Sequence, residues 1–282
     1  MTNNSNSRVM EIARVKLQLP HYKYIMLVID DDSDPVYSKF REVWRKYGTT
    51  EHRILTLFVR IDDTIPENSF QVMYLQQQLA DTLKFGGEDT YVPGIFNKTI
   101  NALRYCLNNY SFDYIIRTHL SSFWNYPALM RTKLPLSRIG VYGGVVETKP
   151  YSRDPFVSGK GLFMSKDVVE ILVSSGTPGG IAANKFCRIY DDVAITKILA
   201  LNNIRPTEQL PFFDRYDITD ICNDTMNEQC KKHIQKIKER GIFHIHVKNN
   251  CTKRSIIDAF CMDQLYDAFY TTYTVTPVFS KL

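Results

Sequence analysis

Hydrophobic and polar positions follow two distinct patterns along the chain. Residues 24–29 form a continuous apolar run, which is typical of a strand buried on both faces of a sheet. Residues 36–47 instead repeat apolar side chains every three or four positions, which predicts an amphipathic helix. The patterns recur, predicting strands at residues 53–60, 112–117, 139–146 and 242–247 and helices at residues 70–85, 92–107, 166–174, 231–240 and 256–273.

This alternation predicts an α/β fold with a mainly parallel central sheet flanked by helices. Ligands of such sheets bind beyond the carboxyl ends of the strands. The loops at residues 30–34, 62–63 and 118–122 are therefore expected to line a cleft. Without an internal repeat or an evident linker, we expect a single domain over residues 21–282 after a flexible polar segment at residues 1–20.

Composition is that of an ordinary globular protein. The 282 residues are 44% hydrophobic, and a net charge of +5 does not favour nucleic acid as a partner but suits an anionic ligand. The six cysteines lack metal-ligand spacing such as C-x-x-C, and neither a secretory signal nor a run of about 20 apolar residues is evident. We therefore expect a cytoplasmic protein with reduced thiols and no transmembrane segment.

Two acidic stretches carry candidate chemistry. Asp30, Asp31 and Asp32 follow the first strand, where they form either a solvated turn or a site for a nucleotide or a hard cation. Asp191 and Asp192 open a helical pattern, where they either cap the helix or supply a general base.

A glycine-punctuated loop and a histidine pair add two further candidates. The loop allows a ligand to approach the backbone closely and consists of Ser158, Gly159, Lys160 and Gly161. His244 and His246 share one face of a predicted strand, where they are either metal ligands or packed core residues.

Six segments occur in an order that matches a known set of motifs. They are residues 36–44 (VYSKFREVW), 87–99 (GEDTYVPGIFNKT), 114–125 (YIIRTHLSSFWN), 154–165 (DPFVSGKGLFMS), 191–193 (DDV) and 243–246 (FHIH). They resemble R-x-x-I-R-x-T-W, G-D-I…D-x-Y-x-N-L-T, Y-V-L-K-T-D-D-D-V-F-V-N, Y-P-P-Y-x-S-G-x-G-Y-V-L-S, E-D-V and F-H-x-H of the β-1,3-glycosyltransferase superfamily, which includes Fringe. The chain looks like the short, untethered versions carried by large DNA viruses and some microbes.

This resemblance implies a GT-A-like fold and an inverting transfer from a nucleotide diphosphate sugar, with a UDP-sugar as the expected donor, to a hydroxyl of a glycan or glycoprotein. Asp192 matches the position of the base, with Asp191 as its neighbour or alternate. Residues 21–126 would form the nucleotide-sugar half, residues 127–250 the acceptor half and residues 251–282 a C-terminal helix and tail. The residues implied near the donor are Asp30, Asp31, Asp32, Arg117, Thr118 and Ser121. Those implied near the acceptor or sugar are Ser158, Gly159, Lys160 and Gly161.

One departure from the family pattern bears on the cofactor. The D-D-D that carries the metal-binding D-x-D is His119, Leu120 and Ser121 in this chain. Either a divalent cation (Mn²⁺ or Mg²⁺) is held by His119 or Ser121 with His244 or His246, or Arg and Lys side chains neutralise the diphosphate without a metal. Two other functions stay open: a non-catalytic protein that binds nucleotide sugars or glycans, and a nucleotidyltransferase-like enzyme with its metal at residues 30–32.

Overall fold

The computed structural model describes residues 19–76, 79–132, 138–152, 154–177, 180–186, 188–206, 214–221, 225–251 and 253–271. The strands are β1 His21–Ile29, β2 Ile54–Asp62, β3 Phe70–Gln76, β4 Leu79–Gly86, β5 Ser111–His119, β6 Ser122–Trp124, β7 Tyr142–Gly143, β8 Val146–Glu147, β9 Phe156–Val157, β10 Gly161–Ser165, β11 Arg215–Ile218 and β12 His244–Val247. The helices are α1 Val36–Tyr47, α2 Gly94–Asn109, α3 Tyr126–Arg131, α4 Lys166–Ser175, α5 Ile181–Phe186, α6 Asp191–Leu201, α7 Met226–Glu239 and α8 Arg254–Tyr266, the last followed by a π-helical turn, Asp267–Thr271.

A central sheet of seven strands has the order β3-β4-β2-β1-β5-β10-β7. The four strands β4, β2, β1 and β5 run parallel to one another. At one edge β3 pairs antiparallel with β4, and at the other β10 pairs antiparallel with β5 and β7 pairs antiparallel with β10. Because β1 pairs with both β2 and β5, the carboxyl ends of three parallel strands meet at one edge of the sheet. The predicted α/β fold with a mainly parallel central sheet is confirmed.

The strand β1 separates two apolar layers. Tyr24, Met26 and Val28 belong to the cluster on one face, whereas Ile25 and Leu27 belong to the cluster on the other. Successive strand residues point to opposite faces, so a run without polar interruption fits a sheet covered on both sides. Each buried aliphatic side chain of this kind stabilises the fold by roughly 1.5–3 kcal/mol relative to an exposed one.

The predicted helix at residues 70–85 is wrong. The segment forms the antiparallel hairpin of β3 and β4. In β4, Leu83 and Phe85 are buried and alternate with the partly exposed Lys84, and β4 pairs in parallel with β2 from Phe58 to Asp62. Pairing with the open edge of β2 outweighs the helical spacing of the local sequence.

The predicted strand at residues 139–146 is interrupted. Gly140 and Gly144 have φ angles of +72° and +143°, in the region that only glycine adopts readily. The chain therefore turns at both, leaving β7 in the central sheet and β8 paired with β9 in a separate ribbon. The other predicted strands and helices are confirmed to within a few residues, although residues 272–273 of the last helix lie outside the described residues.

A second sheet, of order β11-β12-β6, packs beside the carboxyl ends of the parallel strands. Two buried tryptophans fix the turn between β5 and β6. The Trp44 indole N–H donates to the carbonyl oxygen of Leu120 at 3.0 Å, and that of Trp124 donates to Thr118 Oγ1 at 3.1 Å. The helices of the described part of the chain include none whose length and apolar character would allow it to span a membrane.

Candidate active site

Three of the segments with candidate chemistry meet where β1 and β5 end. Ile29 pairs with His119 across the two parallel strands, so Asp30 emerges beside the β5–β6 turn. Gly161, at the start of β10, lies opposite Thr118. The topology therefore brings the acidic turn, the replaced D-D-D and the glycine loop to one edge, as expected for an α/β sheet.

A buried arginine organises the centre of this region. The Arg117 side chain is fully buried, and its Nη1 donates to the Gly159 carbonyl oxygen at 2.5 Å and lies 3.1 Å from His119 Nε2. Its Nη2 donates to a carboxylate oxygen of Asp191. The guanidinium thus joins β5, the glycine loop and the start of α6 in one ion-paired unit.

Asp192 lies beside this unit and has a different environment from Asp191. Its Oδ2 accepts a hydrogen bond from the Gly159 N–H at 3.0 Å, and its Oδ1 accepts one from Val193 N–H at 2.9 Å. Burial, and then the charge of Asp191, raise the pKa of Asp192, while the Gly159 N–H and Arg117 oppose the rise. A carboxylate with a raised pKa is the better proton acceptor, and in this respect Asp192 differs from its ion-paired neighbour Asp191.

The side chains of Arg117, His119 and Asp192 pack against Gly159 and leave no space for a side chain there. A Cβ there would overlap the Arg117 guanidinium and lie 3.4 Å from the Cβ of Asp192. The hydroxyls of Thr118 and Ser122 both donate to the Lys160 carbonyl, at 2.6 and 3.2 Å. Thr118 therefore fixes the loop from a buried position, and Ser121 ties the same turn to β12 through its carbonyl, which accepts the Val247 N–H at 2.8 Å.

Sequence analysis missed a charged cluster that the second sheet contributes. Arg215 donates to Ser158 Oγ at 3.2 Å, to Glu147 Oε1 at 2.9 Å and to both carboxylate oxygens of Asp217 at 3.1 Å. The signal that could have found it is the spacing of Arg215 and Asp217, two residues apart and so on one side of β11.

Lys160 lies against this cluster and is partly exposed. Its Nζ is 3.8 Å from Asp217 Oδ1, and 31% of its side chain is accessible. Burial, and then the nearby Arg215 charge, lower the pKa of Lys160, whereas Asp217 and Glu147 oppose the decrease. Lys160 is therefore a partly exposed cation at the cleft, with both arginine and carboxylate charges around it.

The three histidines do not fit a resident divalent cation. The Arg117 guanidinium occupies the hydrogen-bonding position at His119 Nε2, where its positive charge would repel a cation. His246 Nδ1 is 3.0 Å from Asp217 Oδ1, and His244 stacks on Trp124 at 4.1 Å. Among the residues that the structure describes, no group of three or more His, Cys, Asp or Glu side chains is placed to hold a metal ion.

The acidic turn after β1 is neutralised from within the protein. Arg41 donates to both carboxylate oxygens of Asp30 at 2.8 Å and to Asp32 Oδ1 at 2.7 Å, while Arg60 pairs with the other oxygen of Asp32. Asp31 Oδ1 accepts from the backbone and hydroxyl of Ser33. The carboxylates of Asp30 and Asp32 are thus ion-paired with Arg41 and Arg60.

Comparisons with known proteins were made on sequence and on structure. No protein-family model matches the sequence, and no curated protein matches it. A glycosyltransferase involved in the glycosylation of the major capsid of PBCV-1 is similar in structure, with a TM-score of 0.47 and 12% identity over 84% of this chain and 98% of that one. The galactosyltransferase LgtC in complex with donor and acceptor sugar analogs is similar at a TM-score of 0.47 and 13% identity, over 90% of this chain and 98% of that one. Both of these proteins are glycosyltransferases.

Proposed function

We propose that the protein is an inverting glycosyltransferase that moves a hexosyl or pentosyl group from a nucleotide diphosphate sugar to a hydroxyl of a glycan or glycoprotein. A UDP-sugar is the proposed donor. One contact carries the proposal: the Gly159 N–H donates to Asp192 Oδ2 at 3.0 Å. This contact unites two segments, 33 positions apart, that resemble the sugar-binding loop and the base motif of the family.

The proposed step uses Asp192 as a general base. Its carboxylate accepts the proton of the acceptor hydroxyl as the hydroxyl oxygen attacks the anomeric carbon. The new glycosidic C–O bond forms on the face opposite the leaving group, so the configuration inverts. The bond from the anomeric carbon to the diphosphate oxygen breaks, and the electron pair leaves with the nucleoside diphosphate.

Arg117 supports this step by separating the roles of the two carboxylates. Its ion pair with Asp191 compensates one negative charge beside the base. Because burial, and then the remaining charge of Asp191, still raise the pKa of Asp192, the base keeps more proton affinity than an isolated aspartate has.

We propose that the leaving diphosphate is stabilised by protein cations rather than by a resident metal. Lys160 is the partly exposed cation of the glycine loop, and its carbonyl is fixed by Thr118 and Ser122. A positioned ammonium stabilises developing negative charge in the same way as a metal clamp does. This proposal follows from the poor fit of the three histidines to a cation.

The same replacement of the D-D-D favours a second candidate, a non-catalytic protein that binds a nucleotide sugar or a glycan. The observation behind it is the guanidinium of Arg117 at His119 Nε2, where the family pattern has a metal-binding carboxylate. The two candidates differ in whether a sugar is transferred.

A transfer screen with variants tests the proposal. Purified protein is incubated with a panel of nucleotide sugars and an array of glycan acceptors, and products are detected by mass spectrometry. We expect Asp192→Asn to lower kcat by about 10²- to 10⁴-fold with donor binding unchanged, since a positioned base contributes that factor. Asp154→Asn, at an exposed carboxylate paired with Lys197, is the matched control. Donor binding without transfer by the wild type would support the binding protein instead.

A further inference from the structure

Three exposed tyrosines cluster at the mouth of the candidate active site. Tyr91, Tyr151 and Tyr190 are 69%, 56% and 40% exposed, and they come from three separate loops. The Tyr190 ring lies 5.6 Å from that of Tyr91 and 4.7 Å from that of Tyr151, in edge-to-face geometry in both cases. Large rings left this accessible do not fill the core, and a contiguous exposed apolar patch commonly marks a binding site.

This tyrosine cluster, defined as Tyr91, Tyr151 and Tyr190, adjoins the proposed base. A cavity of about 330 Å³ is lined by Val92, Tyr151, Arg188, Ile189, Tyr190 and Val193. Tyr190 directly precedes Asp191, and Val193 directly follows Asp192, so the cavity lies against the first turn of α6. Burial, and then the charges of Asp191 and Asp192, raise the pKa of Tyr91. Burial, and then the charge of Asp192, raise the pKa of Tyr151, so both tyrosines lie near the acidic pair.

The chemistry of the lining suits a sugar ring. A pyranose has an apolar C–H face and a rim of hydroxyls, and a tyrosine pairs an apolar ring with a polar tip. Arg188 is the charged residue of the lining and supplies donors for hydroxyl oxygens. The volume lies at the lower end of the 300–1,000 Å³ range typical of ligand pockets, which fits one or two sugar rings rather than a long segment.

We propose that the tyrosine cluster is the acceptor subsite, where the terminal pyranose of the glycan acceptor stacks with its reactive hydroxyl directed toward Asp192. The assignment rests on the proposed function, because it requires that Asp192 act on an acceptor hydroxyl. It goes further in naming the acceptor as a carbohydrate recognised through its ring face.

The test separates carbohydrate binding from catalysis. Wild type, Tyr91→Ala, Tyr151→Ala and the conservative Tyr91→Phe are applied to an array of immobilised glycans, without a donor. Tyr74→Ala, which removes a 59% exposed tyrosine from β3 at the far edge of the sheet, is the matched control. We expect glycan binding by the wild type, at least a tenfold loss in each alanine variant, and retention in Tyr91→Phe and Tyr74→Ala.

Kinetics then test the same subsite in transfer. We expect Tyr91→Ala and Tyr151→Ala to raise the KM for the acceptor at least tenfold and to leave the KM for the donor unchanged. Failure of the wild type to bind any glycan on the array, or unchanged glycan binding in both alanine variants, overturns the subsite even if transfer is observed. Tyrosine-dependent glycan binding without transfer by the wild type supports a carbohydrate site and overturns the catalytic function instead. A larger effect on donor KM than on acceptor KM assigns the cluster to the donor and overturns the acceptor assignment.

Discussion

The guanidinium of Arg117 and the carboxylate of Asp191 form an ion pair, although 74 positions separate the two residues in the chain. The arginine is fully buried, and 11% of the aspartate side chain is exposed. Removal of one partner of a buried pair leaves an uncompensated charge, which typically costs about 3–5 kcal/mol of stability. The pair therefore fixes the start of α6, and with it Asp192, against the glycine loop.

The first prediction concerns this ion pair. We expect Arg117→Met to lower the free energy of unfolding by about 3–5 kcal/mol, measured by urea denaturation at pH 7. Adding Asp191→Asn should restore part of the loss, because the double variant no longer buries an unpaired carboxylate. The control is Arg240→Met, which removes an exposed pair with Asp214 and should cost at most about 1 kcal/mol. Strictly additive losses in the double variant would contradict the coupling.

The second prediction concerns the pH dependence of transfer. Burial and the Asp191 charge raise the pKa of Asp192, so the acid limb of kcat/KM should lie above the usual aspartate value of about 3.9. In Asp191→Asn the repulsion disappears while the Arg117 cation remains, and both effects favour the ionised base. We therefore expect the acid limb to move to lower pH.

The measurement for this second prediction is a pH–rate profile of kcat/KM for the wild type and Asp191→Asn, with Asp154→Asn as the exposed control. A limb that moves to higher pH in Asp191→Asn would mean that Asp191 does not act on Asp192 through its charge. A limb that shifts equally in Asp154→Asn would point to a general effect of net charge instead.

Local sequence patterns predict most of the central sheet. The uninterrupted run of β1 is buried by both apolar layers, and the helix α1 has the predicted bounds. The helix predicted from the local spacing of residues 70–85 is wrong, because β4 pairs with the edge of β2 as a strand. That outcome depends on a pairing partner distant in sequence, which periodicity does not contain.

The candidate site, too, is only partly predictable from the sequence. The order of motifs along the chain indicates Asp192 and Gly159, and the structure brings the two residues into hydrogen-bonding contact. The role of Arg117 in pairing with Asp191, and the cluster of Arg215 and Asp217, depend on three-dimensional proximity. Arg117 has no spacing signal toward Asp191, and the two-residue spacing of Arg215 and Asp217 occurs equally on solvated strand faces.

The third prediction concerns the leaving diphosphate. We expect transfer by the purified protein to change less than twofold when EDTA is added, because the proposed stabilising charges belong to the protein. Lys160→Met should lower kcat/KM for the donor by about 10- to 100-fold, the equivalent of losing one charge-assisted hydrogen bond.

The control for this third prediction is Lys197→Met, since Lys197 has the same 31% side-chain exposure as Lys160 and also pairs with an aspartate. We expect it to retain wild-type kinetics. Loss of transfer in EDTA that is restored by Mn²⁺ or Mg²⁺ would show that a metal serves the diphosphate, and equal kinetics for Lys160→Met and Lys197→Met would remove Lys160 from the site.

The fourth prediction concerns stability in acid. Burial lowers the pKa of His246 to about 4, although its hydrogen bond with Asp217 opposes the decrease. The unfolded chain binds a proton near pH 6.5 and the folded protein does not, so stability is fully present above pH 6.5 and decreases as the pH falls toward 4. Between pH 7 and pH 5 this one group should cost about 2 kcal/mol. Burial also lowers the pKa of His119 and His244, which adds to the loss in the same direction.

Urea denaturation at pH 7 and pH 5 measures this loss directly. We expect His246→Gln to lose about 2 kcal/mol less than the wild type over that interval, because glutamine does not titrate and still offers a hydrogen bond to Asp217. The remaining loss in the variant reports His119 and His244. Below pH 4 the wild type should weaken further, since the hydrogen bond from His246 and the charge of Arg215 hold the pKa of Asp217 below its usual range against the effect of burial. An identical loss in wild type and His246→Gln between pH 7 and pH 5 would contradict the prediction, because it would show that folding does not change the pKa of His246.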